Sequence, residues 1–235
     1  MNLALHPADQ RWYTDLWRLK SYHSFSFWQY YDPENTGFGA LKVLNDDRVE
    51  AWRWFGAHPH DNMEIISIPL SWMLRHQDSA WGWGDLWPDE VQVMSAWSGV
   101  VHSEMNWSET DPVTFFQIWI DTKSRNITPR HDQRLFDPVR KENTRQLLVS
   151  PDQEAWSLMI NQNAWISRSL LWAGKTLRYI PRWIDTWLYL LCIEGSVTVA
   201  DQQLNSRDAL SCSKCEHIEI NALESSEILL IEVPL

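Results

Sequence analysis

The sequence predicts an all-β protein, an antiparallel sandwich or barrel in which helix is a minor component. Three observations lead there. Short runs rich in β-branched and aromatic residues recur along most of the chain. Turn-forming residues separate them at modest spacing, and no long stretch carries a 3.6-residue hydrophobic period.

In chain order, a short helix is expected near residues 9–20 (DQRWYTDLWRLK). The strands GALKVL (39–44), EIISIPL (64–70), VQVMSA (91–96) and VTFFQIWI (113–120) follow, each short, apolar and rich in the residues a pleated, half-buried surface favours. Residues 121–146 (DTKSRNITPRHDQRLFDPVRKENTRQ) are polar, hold two prolines and lack strand periodicity, which reads as a connection between two β units. The expected domains are therefore 1–136 and 137–235, with DPVRKENTR (137–145) as a helical turn or linker. The pattern resumes in QLLVS, SLMIN, WLYLLCIE, SVTVA, HIEI and EILLIEV. FFQIWI and ILLIEV close the two series in a comparable way, but no strict sequence repeat links the halves.

Composition bounds the function. Twenty basic against 31 acidic residues give a net charge of −11, which argues against a broad footprint for nucleic acid or anionic lipid. The start, MNLALHPADQRWY, lacks a signal-peptide pattern, and no run approaches the roughly 18 apolar residues of a membrane span. Three cysteines are too few for a disulfide framework, so a cytoplasmic protein is expected. The chain also has 17 tryptophans and only 8 glycines, where usage near 7% would give about 16 glycines. Tryptophan stands beside or within apparent turns at SWM (71–73), DLWPDE (85–90) and SAWSG (95–99).

Two short strings carry the candidate chemistry: HPHDNME (58–64) and VHSEMN (101–106). Alternate residues on a strand share a face, so His58 with His60, and His102 with Glu104, would each project together. Pro59 cannot donate to a β ladder and puts the first pair at an edge, a bulge or a strand entrance. Three imidazoles and a carboxylate suit Fe(II), Mn(II), Ni(II), Cu(II), Co(II) or Zn(II), and not calcium. A lone HxH or HxE is common by chance, so spacing leaves open whether the four residues meet.

FGAHPHDNMEII, RHQDS (75–79) and VQVMSAWSGVVHSEMN resemble the pirin family of bicupins, as do SYHSFSFWQYYDPENTGFGALKVLNDD (21–47) and QIWI…ITPRHDQRLF (117–136). Beyond residue 136 the resemblance rests on LLVSPD, GSVTV and LLIEVPL. It implies two cupin barrels, double-stranded β-helices of jelly-roll type, facing one another. It also implies one mononuclear divalent transition metal in the N-terminal barrel, held by His58, His60, His102 and Glu104. Iron(II) is the first expectation, with Mn, Ni, Co, Cu or Zn as alternatives, and Glu64 is implied to lie near the metal without ligating it. Between 141 and 235 the only histidine is His217, so the second barrel is expected to lack a like site.

The implied activity is that of a quercetinase, in which a flavonol such as quercetin is opened by O₂ and Glu104 also accepts the phenolic proton. The alternative is a metal-binding, redox-sensing regulator of transcription factors or metabolic enzymes. The family usually has glycine near Ser71 and Trp72 and at Trp97; these tryptophans, with Trp81, Trp83 and Trp87, read as surface-turn replacements. CSKC (212–215) is a single CxxC without a second pair or a βα setting and reads as structural. His6, His23, His76 and His131 read as hydrogen-bonded loop or strand residues. No phosphate loop or nucleophile elbow is present.

Overall fold

The structure is a computed structural model. It describes all residues except 61, 79–81, 97–99, 126–127 and 183–185; within its strands, the side chains of 54–60, 78 and 100–102 also lie outside the described set. Its first twelve strands are β1 (Asn2–His6), β2 (Trp12–Asp15), β3 (Leu19–His23), β4 (Leu41–Val49), β5 (Trp54–His60), β6 (Met63–Ser71), β7 (Leu74–Asp78), β8 (Gly82–Leu86), β9 (Glu90–Ser95), β10 (Val100–Asn106), β11 (Val113–Asp121) and β12 (Arg130–Leu135). The remaining strands are β13 (Gln146–Ser150), β14 (Leu158–Met159), β15 (Trp165–Leu171), β16 (Thr176–Tyr179), β17 (Thr186–Glu194), β18 (Ser196–Val199), β19 (Gln202–Asn205), β20 (Ala209–Ser213), β21 (Ile218–Ala222) and β22 (Ser226–Pro234). Among the described residues, helix is confined to 3₁₀ turns at Ala8–Gln10, Pro138–Lys141 and Glu154–Trp156.

The chain divides into two compact units. One comprises Trp12–Phe136 with Ile160–Gln162; the other comprises Met1–Arg11, Asp137–Met159 and Asn163–Leu235. A single cut at 136/137 does not anticipate the first eleven residues, which join the second unit because β1 pairs with β20. Each unit is built from a seven-stranded and a four-stranded sheet. The orders are β12-β9-β6-β11-β4-β3-β2 with β5-β10-β7-β8, and β1-β20-β17-β22-β15-β13-β14 with β16-β21-β18-β19. The two wind alike: β11 and β22 occupy the same central place, flanked by β6 and β4 in one and by β17 and β15 in the other. Topology supplies the relationship that the sequence lacks as a repeat.

Two sequence expectations are corrected. Residues 9–20 form no helix beyond one 3₁₀ turn; Trp12 pairs with His23 and Asp15 with Lys20 in a hairpin whose turn contains Trp17 at φ 65°. A helical pattern this short is marginal by itself, and a ladder partner overrides it. The polar stretch 121–146 contains β12, which pairs residue by residue with β9 from Arg130↔Ser95 to Leu135↔Glu90. This strand ends its sheet and is half-buried for most of its length, so it needs no apolar alternation.

The interiors differ in chemistry. In the second unit Leu188, Leu190, Cys192, Val197, Leu210, Ile218, Ile220 and Leu230 belong to one fully buried apolar cluster. In the first, one row across the large sheet reads His23, Asn45, Gln117, Ser67, Gln92, Gln133, and the first five of these side chains are buried. Burying so many polar groups is costly unless they pair, so the row marks the face where function sits.

Candidate metal centre

Strands β5 and β10 carry the four expected ligands. The ladder sets His102 directly opposite His58, and Val100 opposite His60. Between Phe55 and His58 β5 has one residue more than β10 has between Glu104 and His102, a bulge of the kind that re-aims strands beside active sites. The backbone thus brings both motifs to neighbouring register positions; the side chains of His58, His60 and His102 lie outside the described residues.

Glu104 is described in full. It is 2% exposed, its Oε2 accepts from Gln117 Nε2 at 2.7 Å, and its Oε1 accepts from Ser67 Oγ at 3.1 Å. Ser67 Oγ also lies 3.3 Å from Gln117 Oε1, so both oxygens are held by residues of the facing sheet. Burial pushes the carboxyl up to about 7, against the pull of the Gln117 and Ser67 hydrogen bonds. A metal ion would remove that penalty, because a bound cation favours the carboxylate form. Donor types, the His58–His102 pairing and a buried carboxylate pushed toward protonation all fit one divalent transition metal.

The structure adds residues that the sequence reading did not place at the site. His76 on β7 pairs directly with Glu104, is 2% exposed, and stacks on His131 of β12 with ring centroids 5.6 Å apart. Positions opposite each other on antiparallel strands share a face, so both imidazoles belong to this interior. Only the strand pairings reveal this. Asp47 on β4 is also buried and pushed up to about 8, chiefly by burial and partly by the charge of Glu104.

Glu64 departs from its implied place. It lies an odd number of residues from Ser67 on an unbroken stretch of β6, hence on the opposite face, and its Oε2 accepts from Ser95 Oγ at 2.8 Å and from the Asn161 amide at 3.3 Å. A regular strand carries it away from the interior that holds Glu104.

A cavity of about 650 Å³ opens beside this wall. Ser21, His23, Asn45 and Asp47 line its polar side, while Phe27, Trp28, Val43 and Trp119 supply apolar and aromatic surface. Phe27 stacks on His23 at 5.1 Å and meets Trp119 edge-on at 5.2 Å, and His23 Nδ1 lies 2.8 Å from Asn45 Oδ1. Desolvation lowers the pKa of His23, keeping it neutral at physiological pH. Trp83 and Trp87 are exposed and do not line the cavity; Trp28, which the sequence reading did not single out, does. Trp81 and Trp97 lie outside the described residues.

In the second unit the topological counterparts of β5 and β10 are β16 and β21, which contribute Tyr179, Ile218 and Ile220 to the apolar cluster. Glu232 is buried there, but it accepts from Tyr179 Oη at 2.5 Å, Thr186 Oγ1 at 2.5 Å and the Arg182 amide at 2.7 Å. Its carboxylate has structural donors, and His217 is exposed. Among the described residues, no helix is long and apolar enough to cross a membrane.

The chain matches the Pirin family model over residues 7–120 and the Quercetinase C-terminal cupin domain model over residues 147–233. It is 38% identical over 233 residues to "Quercetin 2,3-dioxygenase" of Escherichia coli (strain K12), covering 99% of both chains. It is 36% identical to the "Pirin-like protein" of Caulobacter vibrioides, covering 97% of this chain and 95% of that one. The crystal structure of the bacterial pirin YhhW in complex with nickel(II) from Escherichia coli superposes with a TM-score of 0.94 at 35% identity, covering 99% of each chain. An interior rich in polar groups in one unit, an apolar one in its topological twin, and these matches over nearly the whole length lead to one conclusion: this chain belongs to the pirin family.

Proposed function

We propose that this protein is a metal-dependent dioxygenase that opens a flavonol such as quercetin with O₂. The observation that carries the reading is the adjacency of Glu104 and the cavity. Gln117 holds Glu104 and pairs in register with Asn45, which lines the cavity wall. Relatives named as quercetin 2,3-dioxygenases and a nickel-bound pirin support it.

His58, His60, His102 and Glu104 would hold the metal, with iron(II) the first candidate and nickel(II) supported by the relative. Bound there, a redox-capable divalent ion would supply Lewis acidity and electron-transfer capacity. The rest is the work of this chain's own side chains. A volume of 650 Å³ suits a flat three-ring molecule, and Phe27 and Trp119 offer it aromatic walls. Glu104, held as a carboxylate, accepts the proton of the flavonol hydroxyl as the general base. Gln117 and Ser67 donate to its two oxygens and fix the carboxylate plane, so the free lone pairs face the interior. Neutral His23 and Asn45 present hydrogen-bonding groups to further hydroxyls, and the apolar wall excludes water. A regulatory role makes no use of this cavity, whereas the flavonol reading does. Free, buried cysteines accord with a cytoplasmic setting.

The test is to load the protein in turn with Fe(II), Mn(II), Ni(II), Co(II) and Cu(II) and follow quercetin bleaching and carbon monoxide release. Activity with at least one metal, lost in Glu104→Gln, is expected. Stoichiometric metal with neither bleaching nor carbon monoxide under all five would overturn the reading.

A further inference from the structure

The CSKC segment gains a role in the second unit. Cys212 stands in the inward row Leu3, Cys212, Leu188, Glu232 across the large sheet. Lys214 then takes a left-handed backbone at φ 53°, and the turn folds Cys215 back into the same apolar cluster. Both thiols are buried and free within that one cluster, close enough for each to shift the titration of the other. No third histidine, cysteine or carboxylate joins them as a metal-binding group among the described residues. Two free thiols carried by one CxxC turn into the same apolar cluster are placed for an intramolecular bond. We propose that Cys212 and Cys215 form a reversible intramolecular disulfide, a redox modification site in the second unit, when the protein meets a peroxide.

The Cys215 sulfur attacks one oxygen of hydrogen peroxide; the S–O bond forms, the O–O bond breaks, and hydroxide leaves to become water with the thiol proton. The Cys212 sulfur then attacks the Cys215 sulfenic sulfur; the S–S bond forms, the S–O bond breaks, and hydroxide leaves with the Cys212 proton as a second water. The sulfurs are oxidised by two electrons and the peroxide is reduced. Cys215 reacts first, its pKa being lowered and that of Cys212 raised by their proximity.

The full-length reduced protein is treated with hydrogen peroxide, quenched with iodoacetamide under denaturing conditions, and digested with trypsin, which cuts after Lys214. The expected result is two peptides held together through Cys212 and Cys215, separated by dithiothreitol, with Cys192 alkylated throughout and no such link in Cys215→Ser. Alkylation of both thiols after peroxide, or an irreversible sulfinic acid at Cys215 without the link, would overturn the proposal.

A different observation carries a second inference. Trp17, Trp28, Trp52, Trp72 and Trp156 have φ of 65°, 52°, 55°, 58° and 68°, the left-handed region that costs a residue with a Cβ and that glycine enters freely. All five are exposed, so no buried contact of their rings explains the strain. As many tryptophans as glycines occupy this region among the described residues, in a chain of 17 tryptophans and 8 glycines. We infer that these five turns are built for glycine, and that the source organism inserts glycine there from a codon, UGA, that other codes read as tryptophan. Tryptophans within strands, such as Trp119 and Trp165, would come from UGG and remain. Peptide mass spectrometry of the protein isolated from its source should show glycine at the five positions, and the fivefold Trp→Gly variant should melt roughly 10 °C or more above the tryptophan form. Tryptophan found at these positions, or a lower melting temperature of the variant, would refute it.

Discussion

The buried carboxyl of Glu104 makes a measurable demand on the metal-free protein. Its ordinary value is 4.5 and its folded value is about 7. A carboxyl raised on folding leaves the folded state binding more protons than the unfolded one between those values, so stability present below about pH 4.5 is lost as pH rises through about 7. At 1.36 kcal/mol per unit the full loss is about 3 kcal/mol, or roughly 6–12 °C in melting temperature. Asp47, raised to about 8, acts in the same direction, while His23, lowered, acts in the opposite one as pH falls. The comparison must therefore be with Glu104→Gln, whose amide can keep both partners. Thermal melts of chelator-treated wild type and variant are run from pH 5 to pH 8.5. Wild type should lose stability relative to the variant across this range, and one equivalent of Ni(II) should restore it. A constant difference between the two would mean that Glu104 is not titrating near 7, and the account of the site would fail.

Gln117→Leu removes the 2.7 Å donor to Glu104 and should weaken Ni(II) binding by about 10–100-fold in a competition titration, while the fold survives. An unchanged affinity would show that Glu104 is held by Ser67 alone or does not ligate. His102→Ala should abolish near-stoichiometric metal measured by plasma mass spectrometry, whereas His217→Ala should leave it intact. In the second unit, Glu232→Leu strands the Tyr179 hydroxyl, the Thr186 hydroxyl and the Arg182 amide, and should cost about 3 kcal/mol in urea unfolding. Glu232→Gln should cost less, and equal losses would argue against hydrogen bonding as the reason for this buried acid.

The sequence by itself determined the all-β class, the two series of strands and the pair HxH and HxE, because period-two patterning and ligand type are local properties. EIISIPL, VTFFQIWI and WLYLLCIE read as strands for the reason that they are strands: apolar, β-rich segments bury against neighbours on both faces. Tertiary structure alone decided the rest. Arg130–Leu135 becomes a strand because β9 offers it a ladder, and Trp12–Asp15 because β3 does. His76 joins the site only through its pairing with Glu104, and Glu64 leaves it only because an unbroken strand turns it to the other face. The excess of tryptophan over glycine, a bare count in the sequence, acquired a physical meaning through φ: five indoles stand on backbone that glycine alone adopts without strain. Composition is written residue by residue, but backbone conformation and cross-strand register are properties of the folded chain.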